Sequence, residues 1–217
     1  MTAIDTVVCV HGFWSHWTGM YLIKRRLEKE YGFRARLFSY RSVRGTLDEN
    51  AIALSRFIHD QGVEGAHVVG HSLGGVLALR MLANDPDSLP GRVVCLGSPL
   101  TGSRAADILS EQVWAEEIIG HSLPSGVIHR AASEWASHLC EEREIGVIAG
   151  TVPLGVGRLF AKFKEDNDGT IAVSETRLEG AKDHLVLPVS HKGMLVSTDV
   201  ADQTGSFLKR GEFLRES

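Results

Sequence analysis

Short runs dense in Val, Ile and Leu alternate along this chain with longer stretches in which apolar residues recur every three or four positions. The runs at residues 6–10, 35–40, 66–70, 92–96, 145–149 and 185–189 read as strands, most of them apolar enough to be covered on both faces. Helical spacing occupies residues 19–31, 47–60, 74–83, 103–119 and about 199–209. In the first of these, Met20, Ile23, Leu27 and Tyr31 share a stripe, while Lys24, Arg25, Glu28 and Lys29 cover the opposite face. Strands and helices in alternation predict an α/β class fold, a doubly wound, mainly parallel sheet of about six strands joined by right-handed crossovers. Ligands of such sheets bind beyond the carboxyl ends of the strands, so the residues that follow each strand carry the functional information.

One stretch breaks the rhythm. Residues 102–144 are long for a crossover and contain Trp114, Ile118, Ile119, Trp135 and Leu139. They read as crossover helices with a small cap, or as additional core, inside a single domain spanning residues 1–217. Neither a linker nor an internal repeat divides the chain.

Composition narrows the class. A net charge of −4 without any Lys/Arg-rich run gives no surface for nucleic acid. No apolar stretch reaches the roughly 20 residues that span a bilayer. Of the three cysteines, Cys9 and Cys95 sit in β-branched runs as small core residues, and the odd count with Cys140 argues against a disulfide framework. Met1-Thr2-Ala3-Ile4-Asp5 has no basic segment leading into an apolar one, so no signal peptide is read there. Together these predict a cytoplasmic protein.

The chemistry turns on a tetrapeptide that occurs twice. Gly-His-Ser-Leu stands at residues 70–73, followed by Gly74-Gly75, and again at residues 120–123, followed by Pro124. A serine hydroxyl becomes a nucleophile when a tight strand-to-helix turn, G-x-S-x-G, exposes it beside a base. The first copy follows the apolar run Ala66-His67-Val68-Val69 and opens the helical run Gly75-Val76-Leu77-Ala78, so Ser72 is the candidate nucleophile. The second copy follows a helical stretch, and Pro124 replaces the second glycine and brings no N–H; Gly120 reads there as a helix cap, and Ser122 as inert.

Three landmarks now fall in order: Val7-Val8-Cys9-Val10-His11-Gly12-Phe13, Gly70-His71-Ser72-Leu73-Gly74-Gly75 and Leu96-Gly97-Ser98-Pro99-Leu100. Together they resemble bacterial lipases and esterases of the α/β-hydrolase fold, with the nearest likeness to the small, nearly lidless ones; residues 104–165 match poorly. The resemblance implies a minimal hydrolase fold with a small helical insertion. It also implies an oxyanion hole from the backbone N–H groups of Phe13 and Leu73, and a triad in the order Ser, acid, His. Asp168, in Asn167-Asp168-Gly169-Thr170, is the favoured acid; Asp166 stays open, and Asp183 lies too near the last strand. His191, on the loop after that strand, is the base that the resemblance implies, while His184 falls before the strand, at the wrong end of the sheet. Trp14, His71, Leu100 and Met194 are candidates to line a substrate pocket, and Trp17 either joins them or packs the first helix onto the sheet.

The expected activity is hydrolysis of carboxylic esters, with small-molecule esters or lipids as substrates. An acyltransferase, thioesterase or amidase would use the same acyl-enzyme, and a non-catalytic hydrolase-fold binding protein is the reading from a different class. No cofactor is expected: there is no H-E-x-x-H, no Cys/His cluster, no P-loop and no G-x-G-x-x-G. Some relatives carry a structural calcium, and no acidic cluster marks one in this chain.

Overall fold

The computed structural model describes residues 4–62, 65–85, 91–104, 132–154 and 164–215. Its centre is a six-stranded sheet in the order β2-β1-β3-β4-β5-β6. The strands are β1 (Thr6–Val10), β2 (Arg34–Phe38), β3 (His67–His71), β4 (Val93–Leu96), β5 (Ile145–Gly150) and β6 (Asp183–Leu187). Every neighbouring pair is parallel. Parallel neighbours need crossovers, and the described helices that supply or cover them are α1 (Tyr21–Tyr31), α2 (Leu47–His59), α3 (Leu73–Asn84), α4 (Ala132–Ala136), α5 (Leu139–Glu142) and α6 (Thr198–Arg210).

Strand alternation divides the core into two layers. Val8, Val10, Val68, Val93, Cys95, Ile145 and Val147 point to one face, where Leu54 and Ile58 of α2 and most of α3 cover them. Val7, Cys9, Val69, Val94, Leu96 and Ile148 point to the other, against Ile23 and Leu27 of α1 and Val200, Phe207 and Leu208 of α6. The central strands β1, β3, β4 and β5 are buried at every position, as their uninterrupted apolar runs require. Burial drives the Cys9 and Cys95 thiols up to about 12, so both are inert core residues.

Local sequence sets the helix ends. Thr46 caps α2: its hydroxyl accepts from the Glu49 N–H at 3.2 Å, and the Glu49 carboxylate accepts from the Thr46 N–H at 2.9 Å. The α1 stripe ends at Gly32, in the left-handed region with φ 68°, and is preceded by a 3-10 turn at Trp17–Met20. Both edge strands start and stop earlier than their apolar runs suggest. The run at 35–40 yields a strand ending at Phe38, and the run at 185–189 yields one starting at Asp183 and ending at Leu187, before Pro188. An edge strand leaves one flank in solvent, so Arg34, Asp183 and His184 extend the ladder without being apolar.

From residue 105 onward the expected helix at 103–119 lies outside the described residues, as do Trp114, Ile118, Ile119 and the second Gly-His-Ser-Leu with Ser122. The far part of the 102–144 stretch is core. Ala132, Trp135 and Ala136 of α4 and Leu139 of α5 are buried with the α3 layer, and the Ser133 N–H donates to the Leu100 carbonyl at 2.7 Å.

The order 2-1-3-4-5-6 reverses direction between β1 and β3. The connection from β1 runs outward to β2, whereas everything after β3 builds the other way. At such a reversal two neighbouring loops leave in opposite directions and open a crevice beyond the strand ends.

Candidate active site

Ser72 stands at that reversal. Its backbone has φ 54° and ψ −123°, and it occupies the cap position of α3 directly after β3. A non-glycine residue rarely adopts this conformation, and the surrounding packing enforces it. Its N–H donates to the Leu96 carbonyl at 2.8 Å, and its carbonyl accepts from Gly75 at 3.1 Å. Gly74 has to lack a side chain, because a Cβ there would run into the carbonyl oxygens of Val10 and His11. Among the described residues Trp14 is the other non-glycine with positive φ, at 50°, and it lies on the facing loop after β1.

That loop comes close to the serine. A Cβ placed on Gly12 would lie 2.9 Å from the Ser72 Cβ and 3.1 Å from His71 Nδ1. Phe13 follows, its ring 4.8 Å from Trp14 and partly buried against the α3 layer. Leu73 is the first residue of α3, so its N–H has no carbonyl of its own helix to meet. Among the described residues neither the Phe13 nor the Leu73 N–H donates to a backbone carbonyl. The loop is pinned from behind: the His11 ring stacks on Tyr40 with centroids 4.5 Å apart, and the Tyr40 hydroxyl donates to the His11 carbonyl at 3.0 Å. Burial lowers the His11 pKa.

Asp168 and His191 meet beyond β5 and β6. His191 Nδ1 donates to Asp168 Oδ2 at 2.6 Å. The other carboxylate oxygen accepts from the N–H groups of Thr170 and Ile171 at 2.9 and 2.7 Å, which fixes the carboxylate plane. The His191 N–H donates to the Asp168 carbonyl at 2.8 Å, so the two residues are joined through backbone as well. Asp168 is 1% exposed and His191 8%. Upstream, the Asn167 amide spans the turn, donating to the Glu165 carbonyl at 2.9 Å and accepting from Gly169 at 3.0 Å. Downstream, Glu175 accepts from Ala172 at 2.8 Å and from the Arg104 N–H at 2.8 Å.

Gly97 is the point where the pieces touch. It follows β4 with φ 55°, and a Cβ on it would lie 3.0 Å from Asp168 Oδ2, 3.1 Å from Met194 Sδ and 3.2 Å from His191 Nδ1. The sequence marks it only as the glycine of Gly97-Ser98-Pro99, and nothing adjacent in the chain signals its place under the Asp–His pair.

The remaining expectations separate. Asp166 contributes its backbone carbonyl, accepting from Val173 at 2.9 Å, rather than pairing its side chain with His191. Asp183 is bound to Arg215 and to the Phe213 N–H. His184 lies inside β6 rather than before it; its Nε2 meets the Thr176 hydroxyl at 2.9 Å, and burial lowers its pKa to about 4. Leu100 and Met194 are fully buried, so neither presents surface to a substrate, whereas Trp14 is 57% exposed. Trp17 does not bury itself between α1 and the sheet; with Lys24, Arg36 and Leu37 it lines a surface hollow of about 420 Å³ beside β2. His71 is buried under the His191 loop, and its Nε2 donates to the His191 carbonyl at 2.9 Å. Among the described residues no group of three or more metal-ligating side chains converges, and no helix is long and apolar enough to cross a membrane.

Comparison with known proteins bears on the fold and the family. The profile of the Alpha/beta hydrolase family matches residues 7–192. Among curated proteins no sequence matches significantly. Lipase BlEst2 from Bacillus licheniformis, in its mature form, superposes with a TM-score of 0.70 at 17% identity, over 98% of this chain and 94% of that one. A thermophilic esterase from Thermogutta terrifontis gives a TM-score of 0.69 at 15% identity, over 95% and 90%. A meta-cleavage product hydrolase from Pseudomonas fluorescens gives 0.64 at 15% identity, again over 95% and 90%. At such identities the likeness is one of fold.

Proposed function

Because the chain belongs to the alpha/beta hydrolase family, we propose that it is a serine hydrolase of carboxylic esters acting through Ser72, His191 and Asp168. The observation that carries the reading is the buried 2.6 Å contact between His191 Nδ1 and Asp168 Oδ2, packed against Gly97, the residue after the Leu96 carbonyl that accepts from the Ser72 N–H. The reading of an ester as substrate is in keeping with a lipase and an esterase among the structures of the same fold.

The chemistry follows from the atoms. With Nδ1–H committed to Asp168, His191 Nε2 carries a lone pair and accepts the Ser72 proton as Oγ attacks the ester carbonyl. The C–O π pair moves onto the carbonyl oxygen, and the N–H groups of Phe13 and Leu73 hold the oxyanion. Collapse expels the alkoxide, which takes the proton from His191 and leaves as the alcohol. The Asp168 carboxylate steadies the imidazolium as it forms. Water then repeats the sequence on the acyl-enzyme, returning Ser72 and releasing the acid.

The test is hydrolysis of p-nitrophenyl esters from acetate to palmitate by wild type, Ser72→Ala and Ser122→Ala. Ser72→Ala should lose about 10⁶-fold in kcat while Ser122→Ala matches wild type. Short and medium chains should turn over fastest. An inert wild type, or a dead Ser122→Ala, removes the reading.

A further inference from the structure

We propose that His71 is a positioning residue that ties the base to the nucleophile, holding the His191 carbonyl from the position next to Ser72; the proposal rests on the triad reading above. The bond joins residues 120 positions apart in the chain, Nε2 to carbonyl oxygen at 2.9 Å. Ser72 comes with the β3–α3 turn and His191 with the loop after β6. Asp168 holds the His191 ring with its carboxylate and the His191 N–H with its carbonyl, but Asp168 itself belongs to a third loop. His71 is the residue through which the serine's own turn reaches the histidine.

The choice of residue has a chemical logic. A carbonyl only accepts, so His71 must carry its proton on Nε2. Its Nδ1 is then a bare lone pair, and that atom is buried with no hydrogen-bond partner. An imidazole held at the expense of an unmet acceptor is explained by the bond its other nitrogen makes. The donor is also uncharged. Burial first, then the proximity of His191 and of His11, lowers the His71 pKa to about 3. The two rings lie 4.6 Å apart. A lysine or arginine donor would place a cation beside the His191 imidazolium as it forms, whereas neutral His71 does not. Other titratable groups around it are His191 and Asp168 on the far loops and His11 on the β1 loop.

His71→Leu fills the volume without a donor, and His71→Gln returns an N–H near the Nε2 position. Kinetics on p-nitrophenyl butyrate should show His71→Leu losing about 100-fold in kcat with KM within about threefold, and His71→Gln recovering most of the loss. A His71→Leu enzyme with wild-type kcat, or a Gln variant as slow as the Leu variant, overturns the proposal. Long-range ¹⁵N–¹H spectra of the wild type give a second readout that needs neither turnover nor a folded variant. His71 should stay neutral and protonated on Nε2 from about pH 5 to about pH 9. An Nδ1–H tautomer or a titration in that window overturns the bond. If wild type hydrolyses no ester, the functional reading fails and takes the role with it. If wild type is active but the His71 tautomer is wrong, only this proposal fails.

Discussion

Two regions bring the site together, and they are held by different physics. The turn at Ser72 is fixed by steric exclusion: Gly74 passes so close to the carbonyls of Val10 and His11 that it has no room for a side chain, and Ser72 beside it adopts φ 54°. The Asp168 and His191 loops are fixed by hydrogen bonds, at least one to each carboxylate oxygen of Asp168 and one through the His191 backbone. Steric exclusion is local and abrupt, whereas a hydrogen-bonded loop joins distant segments and can lose its restraints one at a time. The same crevice therefore has a rigid half and a half whose geometry is set by a short list of polar atoms.

The sharpest way to test the polar half is Asp168→Asn. The amide oxygen can still accept from Thr170 and Ile171, which preserves the loop. The amide nitrogen then faces His191 Nδ1, which must turn acceptor, and the ring proton moves to Nε2, where the base needs a lone pair. Activity should fall about 10⁴-fold while the denaturant midpoint barely moves. A fall of less than about tenfold would mean that Asp168 is not the acid, and Asp166 would be the next residue to vary.

The steric half should fail the other way. Gly74→Ala pushes a Cβ into the carbonyl oxygens of Val10 and His11 at the end of β1, a strand held between β2 and β3. About 3 kcal/mol of stability should be lost, read from urea unfolding, and esterase activity should drop with it because the Leu73 N–H moves too. A Gly74→Ala protein with wild-type stability would show that the turn is looser than its contacts imply, and the contrast between the two halves would collapse.

This contrast also decides what the sequence could reveal. The Ser72 turn was legible because steric demands are written in adjacent residues: an apolar strand, two glycines around His71-Ser72-Leu73, and an apolar helix. The buried strands were legible for the same reason, and β1 matches its apolar run residue for residue. The edge strands shifted by one or two positions, because Asp183 and His184 pair in the ladder without needing to be buried. Asp168 and His191 became candidates only by their order in a family resemblance. Nothing in Asn167-Asp168-Gly169 itself distinguishes an acid from a turn. The His71–His191 bond had no signal in the chain, since 120 residues separate donor and acceptor.

The smallest expected effect is the most diagnostic of grading. Asn167→Ala removes two hydrogen bonds, one donated to the Glu165 carbonyl and one accepted from Gly169, but neither touches the Asp168 carboxylate. Asp168 keeps its contacts to Thr170, Ile171 and His191, and its backbone N–H still donates to the Ile171 carbonyl at 3.0 Å. The Glu165 carbonyl regains water, but Asn167 is buried at 9% exposure, so the Gly169 N–H loses its partner inside the fold. At about 1 kcal/mol for each bond, stability should drop by about 1–2 kcal/mol. kcat should fall by less than about tenfold, because the loop samples displaced positions without leaving its main one. Differential scanning calorimetry and p-nitrophenyl butyrate kinetics on the same preparation measure both. A loss as complete as that of Asp168→Asn would mean that the loop is held all or none, by packing rather than by separable bonds, and that the two halves of the crevice obey one rule.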